Sequence, residues 1–298
     1  MGLTANAGSS PGPRRLTVVK VGGRLVEDVA AARGFARALS EAGAREAEDT
    51  TSAGATFVVV HGGGSEISAL GRRLGVEPTF HEGQRVTDRA TMRLVSMTLS
   101  GEVNKRIVRA LTATAVAAVG LSGEDGASVQ ATPRRGGELG RVGDVACVRP
   151  RLLRALLTAG FVPVLSPVSG SGDGEPLNVN ADAVAAAVAT ALGAARLLFL
   201  SDVPFVRDGA GRAVATLDEA GAKTLVSEGT VAGGMIPKLT TAAKAASGGI
   251  PDVRIGGLTA LGGGGTRIVG GAPPTSCADR PASAAGGGVG TPSLEVLA

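Results

Sequence analysis

The sequence of 298 residues has no tryptophan and no tyrosine, and only six phenylalanines. Its interior must therefore be built from valine, leucine, isoleucine and alanine, and at this length those suffice for a sizeable core. Single-stranded nucleic-acid binding needs aromatic platforms beside a dense basic groove. Here the net charge is only +4, and the basic residues are scattered in short pairs such as Arg72-Arg73 and Arg134-Arg135. No nucleic-acid partner is expected. The two cysteines, Cys147 and Cys277, lie far apart, and no Cys/His cluster accompanies them. That excludes a zinc framework and a disulfide scaffold and fits a reducing compartment. The longest apolar run, Ala183 to Leu200, is broken by Gly193 and Arg196. It reads as a helix followed by a strand, so no membrane span is expected. Met1–Arg15 lacks an apolar core of the secretory type, and Asn6 fails the myristoylation pattern. Together these absences predict a cytoplasmic protein.

What the chain has in excess is glycine: 47 residues, about twice the usual share of roughly 7%. Residues 1–15 and 272–298 are rich in Gly, Ser, Ala and Pro without periodicity, and read as disordered tails. Between them, short β-branched runs alternate with Ala/Leu-rich helical patterns. The expected strands are Leu16–Val21, Thr56–Val60, Val116–Gly120, Val162–Ser166, Leu197–Ser201 and Asp252–Ile255. The expected helices are Glu27–Ala42, Ser65–Leu74, Arg89–Leu99, Glu102–Thr112, Arg151–Ala159, Ala181–Leu192, Asp218–Glu228 and Pro237–Ala246. Near-continuous apolar strands separated by helices indicate an α/β fold with a parallel sheet covered on both faces. Arg134 to Val148 reads as a hairpin or loop excursion, and the Gly-rich stretch 169–174 as a lobe boundary.

Several glycines are placed rather than scattered. Lys20-Val21-Gly22-Gly23 follows the first strand, and His61-Gly62-Gly63-Gly64 follows the second and opens a helix. Ligands of parallel sheets bind beyond the carboxyl ends of strands, where Gly-rich turns bring backbone N–H groups and helix dipoles close to phosphate. Neither turn has the spacing of a Walker or dinucleotide-binding motif. Asn180 reads as a helix N-cap with Asp182 in the first turn, or as part of a site. In Gly233-Gly234-Met235-Ile236-Pro237-Lys238, the proline suits a first helical turn. Lys238 then opposes the helix dipole, which points to an anionic neighbour. Arg85 in Gly83-Gln84-Arg85-Val86-Thr87-Asp88 is either a clamp for a carboxylate or a solvated loop residue.

Taken in order, nine segments resemble acetylglutamate kinases of the amino acid kinase family: VVKVGG (18–23), VVVHGGG (58–64), GQRVTD (83–88), SGEVNKRIV (100–108), AVGLSGEDG (118–126), LNVNAD (177–182), LFLSDV (198–203), GGMIPK (233–238) and GGTRI (264–268). The resemblance covers residues 16–270. It implies a three-layer α/β/α sandwich with a mainly parallel central sheet and two lobes. Residues 16–174 would bind the acyl amino acid, and 175–271 the nucleotide. The implied reaction moves the γ-phosphoryl group of ATP to the side-chain carboxylate of N-acetyl-L-glutamate, within arginine biosynthesis. Mg²⁺ would arrive with ATP, with no protein metal ligand and no tightly bound cofactor. A carboxylate nucleophile is ionised at pH 7 and needs no general base.

The resemblance also implies roles. Lys20 and Lys238 would flank the transferring phosphoryl group, with Asp182 holding both. Gly22 and Gly23 would contact phosphate, and Gly63, Gly64, Arg85, Asn178 and Asn180 the substrate. Ser201, Asp202, Val203, Val206, Arg207, Thr230, Gly234 and Met235 would line the nucleotide pocket. His61 reads as a packing or loop hydrogen-bonding residue. Asp88 and Asp125 read as cap or turn residues, and Lys105 and Arg106 as a solvated helix face or a subunit contact. The chain departs from the family at Phe205, where relatives often have glycine, and in 256–262, which lacks a DGR tripeptide. The ends lack the features of arginine-inhibited relatives, so a homodimer insensitive to arginine is expected. Two other readings stay open: a sister kinase acting on glutamate or carrier-linked aminoadipate, and a non-catalytic binding protein on the same fold.

Overall fold

A computed structural model describes residues 15–48, 55–134 and 138–270. The tails expected at 1–14 and 272–298 lie outside the described residues. Arg15, placed in the first tail on sequence, opens the first strand.

In chain order the strands are β1 (Arg15–Val21), β2 (Ala55–His61), β3 (Phe80–His81), β4 (Gln84–Arg85), β5 (Ala118–Ser122), β6 (Val129–Pro133), β7 (Val142–Val148), β8 (Val162–Ser166), β9 (Val168–Gly170), β10 (Pro176–Val179), β11 (Arg196–Leu200), β12 (Thr216–Leu217), β13 (Asp252–Gly256) and β14 (Thr266–Ile268). The helices are α1 (Val29–Glu48), α2 (Gly64–Arg73), α3 (Arg89–Ser96), α4 (Asn104–Thr112), α5 (Arg151–Thr158), α6 (Ala181–Leu192), α7 (Glu219–Ser227) and α8 (Met235–Ser247). A wide π-helical turn, Met97–Val103, joins α3 to α4.

Eight strands form one sheet in the order β12-β14-β13-β11-β1-β2-β8-β5. Every neighbouring pair is parallel except β13 and β14. Alternation along β1 divides the core: Val18 faces one cluster, with Val184, Val188 and Leu239, while Val19 and Val21 face another, with Phe35, Leu39 and Ile107. The first is covered by α5, α6, α7 and α8, and the second by α1 and α4. This is the expected three-layer sandwich. Three of the six phenylalanines, Phe35, Phe57 and Phe199, are buried in it. Each such side chain contributes about 2–3 kcal/mol by leaving water.

The excursion at 134–148 is part of a hairpin, β6 and β7, which closes with β9 and β10 into a small four-stranded barrel. The glycine-rich stretch expected at the lobe boundary is largely the turn between β9 and β10, which are hydrogen-bonded to each other. The chain reaches the β11 half of the sheet through α6.

At the amino ends of the parallel strands, Asp252 gathers three arginines. Its carboxylate lies 3.1 Å from Arg196 Nε, 2.8 Å from Arg254 Nε and 3.8 Å from Arg267 Nε. These side chains join β11, β13 and the antiparallel β14.

Candidate active site

The opposite end of the sheet opens into a cleft of about 970 Å³. Its floor is made by the turns after β1 and β2, its sides by the β3–β4 hairpin and β10, and its far wall by the starts of α6 and α8. Gly22, Gly23, Gly63 and Gly64 all line it. A side chain at Gly22 would stand 3.4 Å from Lys20 Nζ and 3.7 Å from Gly62 N, so the two turns lie against each other. At Gly63 the demand is stricter. A Cβ there would sit 2.7 Å from Leu99 Cδ2, a buried side chain of the π-helical turn.

Three ionisable groups from distant parts of the chain meet at the cleft: Lys20 and Asp182 line it, and Lys238 is buried outside that lining and paired with Asp182. Lys20 extends from the carboxyl end of β1, Asp182 from the first turn of α6, and Lys238 from the first turns of α8. Lys20 Nζ lies 3.0 Å from Asp182 Oδ1, and Lys238 Nζ lies 3.2 Å from Oδ1 and 3.4 Å from Oδ2. Asn180 caps α6 by accepting from the amides of Asp182 at 2.8 Å and Ala183 at 3.2 Å, which fixes where the carboxylate starts. Burial alone would raise the Asp182 carboxyl, but the two ammonium groups hold it below the usual carboxylate range. Burial, with Lys20 nearby, pulls Lys238 down to about 8, and Asp182 opposes the fall. Two cations against one anion leave a net positive centre beside the Gly-rich turns, which suits an incoming polyanion.

Arg85 stands at the other end of the cleft. Its Nη2 donates to Gly64 O and to Ser68 Oγ, each at 2.8 Å, and its guanidinium lies 4.8 Å from the centre of the Phe80 ring. Arg85 is thereby fixed to the amino end of α2 rather than solvated in a loop. Asn178, on β10, donates to Thr87 Oγ1 at 3.1 Å and also lines the cleft.

The residues expected around a nucleotide are more dispersed. Gly234 lines the cleft, while Ser201, Asp202, Val203, Val206, Arg207, Thr230 and Met235 do not. Ser201 N donates to Gly256 O at 2.8 Å, and Ser201 Oγ lies 3.5 Å from Val203 O. Asp202 faces Arg24 across 3.7 Å. The Val206 side chain is core, and its amide donates to Thr266 Oγ1 at 2.9 Å. Arg207 stacks over Phe205, 5.0 Å from the ring centre. Thr230 Oγ1 is 3.6 Å from where a Cβ on Gly209 would be, which brings the loop between α7 and α8 near the loop after β11. Met235, the first residue of α8, packs against the core.

Asp88 is a cap, accepting from Thr91 N at 2.7 Å, and Asp125 a turn residue, accepting from Ser122 N at 2.6 Å, each within its expectation. Lys105 is exposed as expected. Arg106 corrects its expectation. It is buried, donates to Val26 O at 2.8 Å and to Glu27 O, and pairs with Glu66 at 3.4 Å and Glu102 at 3.1 Å. A guanidinium satisfied by four acceptors can be buried where a helix-face periodicity predicts solvent. The sequence reading also missed Asn104 and Arg134. Asn104 is a polar residue on an apolar helical stripe, and that is a usable signal. Arg134 lines the cleft and bonds to Gln84 and Asp144, with no motif to announce it.

A sequence-family model described as the amino acid kinase family matches residues 15–257. The chain belongs to the amino acid kinase family. Its place there is among the acetylglutamate kinases. The one from Jannaschia sp. (strain CCS1) is 43% identical over 235 residues, which is 79% of this chain and 79% of that protein. The one from Chloroflexus aurantiacus (strain ATCC 29366 / DSM 635 / J-10-fl) is 42% identical over 263 residues, 85% and 96% of the two chains. A carbamate kinase from Giardia lamblia shares the fold with a TM-score of 0.65, at 16% identity over 87% of this chain and 99% of that one. In this family member the cleft lies at the carboxyl ends of the parallel strands. No helix among its described residues is long and apolar enough to cross a membrane.

Proposed function

We propose that the protein transfers the γ-phosphoryl group of ATP to the side-chain carboxylate of N-acetyl-L-glutamate, giving N-acetylglutamyl 5-phosphate and ADP in arginine biosynthesis. The observation that carries this reading is the Lys20–Asp182–Lys238 bridge beside two Gly-rich turns, in a chain of this family.

The chemistry follows from charge. Substrate carboxylate and triphosphate repel each other, and charge moves to the leaving phosphate during transfer. No base is required, so the protein's task is positioning and electrostatic stabilisation. Lys20 and Lys238 supply two cations, and Asp182 keeps them apart from solvent and aimed at one locus. Gly22, Gly23, Gly63 and Gly64 offer backbone N–H groups at the phosphoryl and substrate oxygens. Arg85 grips the substrate's α-carboxylate, with Asn178 beside it and Asn180 holding the loop. The acyl-amino-acid lobe runs through β10, and the nucleotide lobe begins with α6. In the latter, Gly234 borders the nucleotide from the cleft, with Ser201, Asp202, Val203, Arg207 and Thr230 in the loops around it, while Val206 and Met235 pack with the core beneath.

Mg²⁺ enters with ATP and neutralises phosphate charge when bound. The residues present fit that arrangement, because both Asp182 oxygens are committed to ammonium groups. The protein works in the cytoplasm as a homodimer insensitive to arginine. A coupled ADP-release assay tests the reading: turnover is expected with N-acetylglutamate and not with glutamate or aminoadipate. Turnover confined to either of the latter two would make it a sister kinase, and none at all would make it a binding protein.

A further inference from the structure

His61 is completely buried at the end of β2, directly before Gly62. Its Nε2 faces the side-chain amide of Asn104 at 3.2 Å, and its Nδ1 lies 2.9 Å from the carbonyl oxygen of Gly62. Nothing in the phosphoryl-transfer scheme uses either residue.

The orientation of Asn104 is forced by its neighbours. Its Nδ2 lies 2.8 Å from Val164 O and 3.3 Å from Leu121 O, and backbone carbonyls only accept hydrogen bonds. Its Oδ1 accepts from Lys105 Nζ at 3.2 Å. Gly120 leaves room for that oxygen, since a Cβ there would lie 1.9 Å from it. The amide nitrogen must therefore be the atom facing His61; its two hydrogens are shared among three acceptors, and because an amide nitrogen does not accept, Nε2 cannot donate to it. Nε2 then accepts and bears no proton, so the ring proton resides on Nδ1 and is donated to Gly62 O. Burial also pushes the imidazole down to about 4, so it stays neutral at working pH, with the bond to Gly62 opposing and the charges of Lys20, Arg106 and Lys105 adding to the fall.

In a planar trans peptide, the Gly62 carbonyl and the Gly63 N–H point in opposite directions. Holding the carbonyl against a buried imidazole turns the Gly63 N–H the other way. Gly63 lines the cleft, and its amide has no acceptor among the described residues.

We propose that His61, locked by Asn104 as the Nδ1–H tautomer, is a positioning residue that orients the Gly62–Gly63 peptide so that the Gly63 N–H serves as an anion donor in the cleft. The use made of that donor rests on the kinase reading above, whereas the tautomer does not. A carbonyl turned into the same space would repel a phosphoryl group, so loss of the lock should be felt in the chemical step more than in binding.

The test has two arms. The chain has only two histidines, so imidazole ¹⁵N spectra of the full-length protein and of His81→Gln assign His61 directly. A neutral Nδ1–H ring that fails to titrate between pH 8 and 5 is expected, and an Nε2–H ring or an averaging one overturns the proposal. In the second arm, His61→Asn places an amide nitrogen near the Nδ1 position, while His61→Gln places one near Nε2. His61→Gln should lose about tenfold or more in kcat, with both KM values within about threefold of the wild type. His61→Asn should recover most of that loss. Equal losses in the two variants, or a loss confined to KM, would reduce His61 to packing. If neither variant folds, the spectra of the unaltered protein decide. Absence of wild-type turnover would instead remove the kinase reading and leave the tautomer result standing.

Discussion

Lys20 and Lys238 share one oxygen: Asp182 Oδ1 lies 3.0 Å from the first ammonium and 3.2 Å from the second. Two like charges are held together in a buried place by a single carboxylate that a helix cap keeps in position. Removing that carboxylate as a charge leaves the ammonium groups repelling each other. Asp182→Asn should lower kcat by at least about a hundredfold and lower Tm, since breaking a buried ion pair costs about 3–5 kcal/mol. Steady-state kinetics and a melting curve check both, and an unchanged kcat would leave Asp182 a purely structural residue.

The downward pull on Lys238 predicts a pH limit. With its ammonium at about 8 in the free protein, kcat/KM should fall as pH rises through that value, because the neutral amine cannot stabilise a phosphoryl anion. Stability moves the other way. The group's ordinary value is 10.5, so between 8 and 10.5 the unfolded chain binds more protons, and this lysine's contribution to folding improves with pH. Activity should therefore drop over pH 7.5–9 without a matching drop in Tm. A parallel fall of the two would show that unfolding, not Lys238, sets the limit.

At Gly63, an added methyl group meets Leu99 at 2.7 Å and Val103 at 3.3 Å, on a backbone with φ of +158°. Gly63→Ala should abolish most turnover and reduce Tm, by roughly 1–3 kcal/mol of strain. Gly64→Ala meets nothing within 4 Å and should melt close to the wild type. Comparable Tm losses in the two would contradict the packing described here.

Arg85 already spends Nη2 on Gly64 O and Ser68 Oγ. Lysine cannot reproduce that fork while also meeting a carboxylate. Arg85→Lys should raise KM for the acyl amino acid about tenfold or more while KM for ATP changes little. If KM for ATP rises instead, the clamp is on the wrong substrate.

Six of the large sheet's eight strands were legible because buried parallel strands read as unbroken apolar runs, and five of those six fall within a residue or so of their place; β12 and β14, two and three residues long, were not. The exception, Val116–Gly120, slips by two residues because Val116 N closes the end of α4 on Leu111 O. The small barrel was not legible. β9 and β10 are three and four residues long, too short for a period of two to show. The positions of Lys20, Asp182 and Lys238 could be read, but their sharing of one carboxylate oxygen depends on how α6 and α8 pack, which no local pattern encodes. Arg106 was misread for the same reason: its four acceptors come from segments 4 to 80 residues away.

The knot of Arg196, Arg254 and Arg267 on Asp252 sits at the end of β11, β13 and β14 remote from the cleft. It makes this half of the sheet behave like a fan pinned at its handle. The pinned tips are expected to keep their spacing on ligand binding, with accommodation coming from the loops at the open rim. Amide exchange should thus be graded along each of these strands, slowest beside Asp252 and fastest toward Leu200 and Gly256.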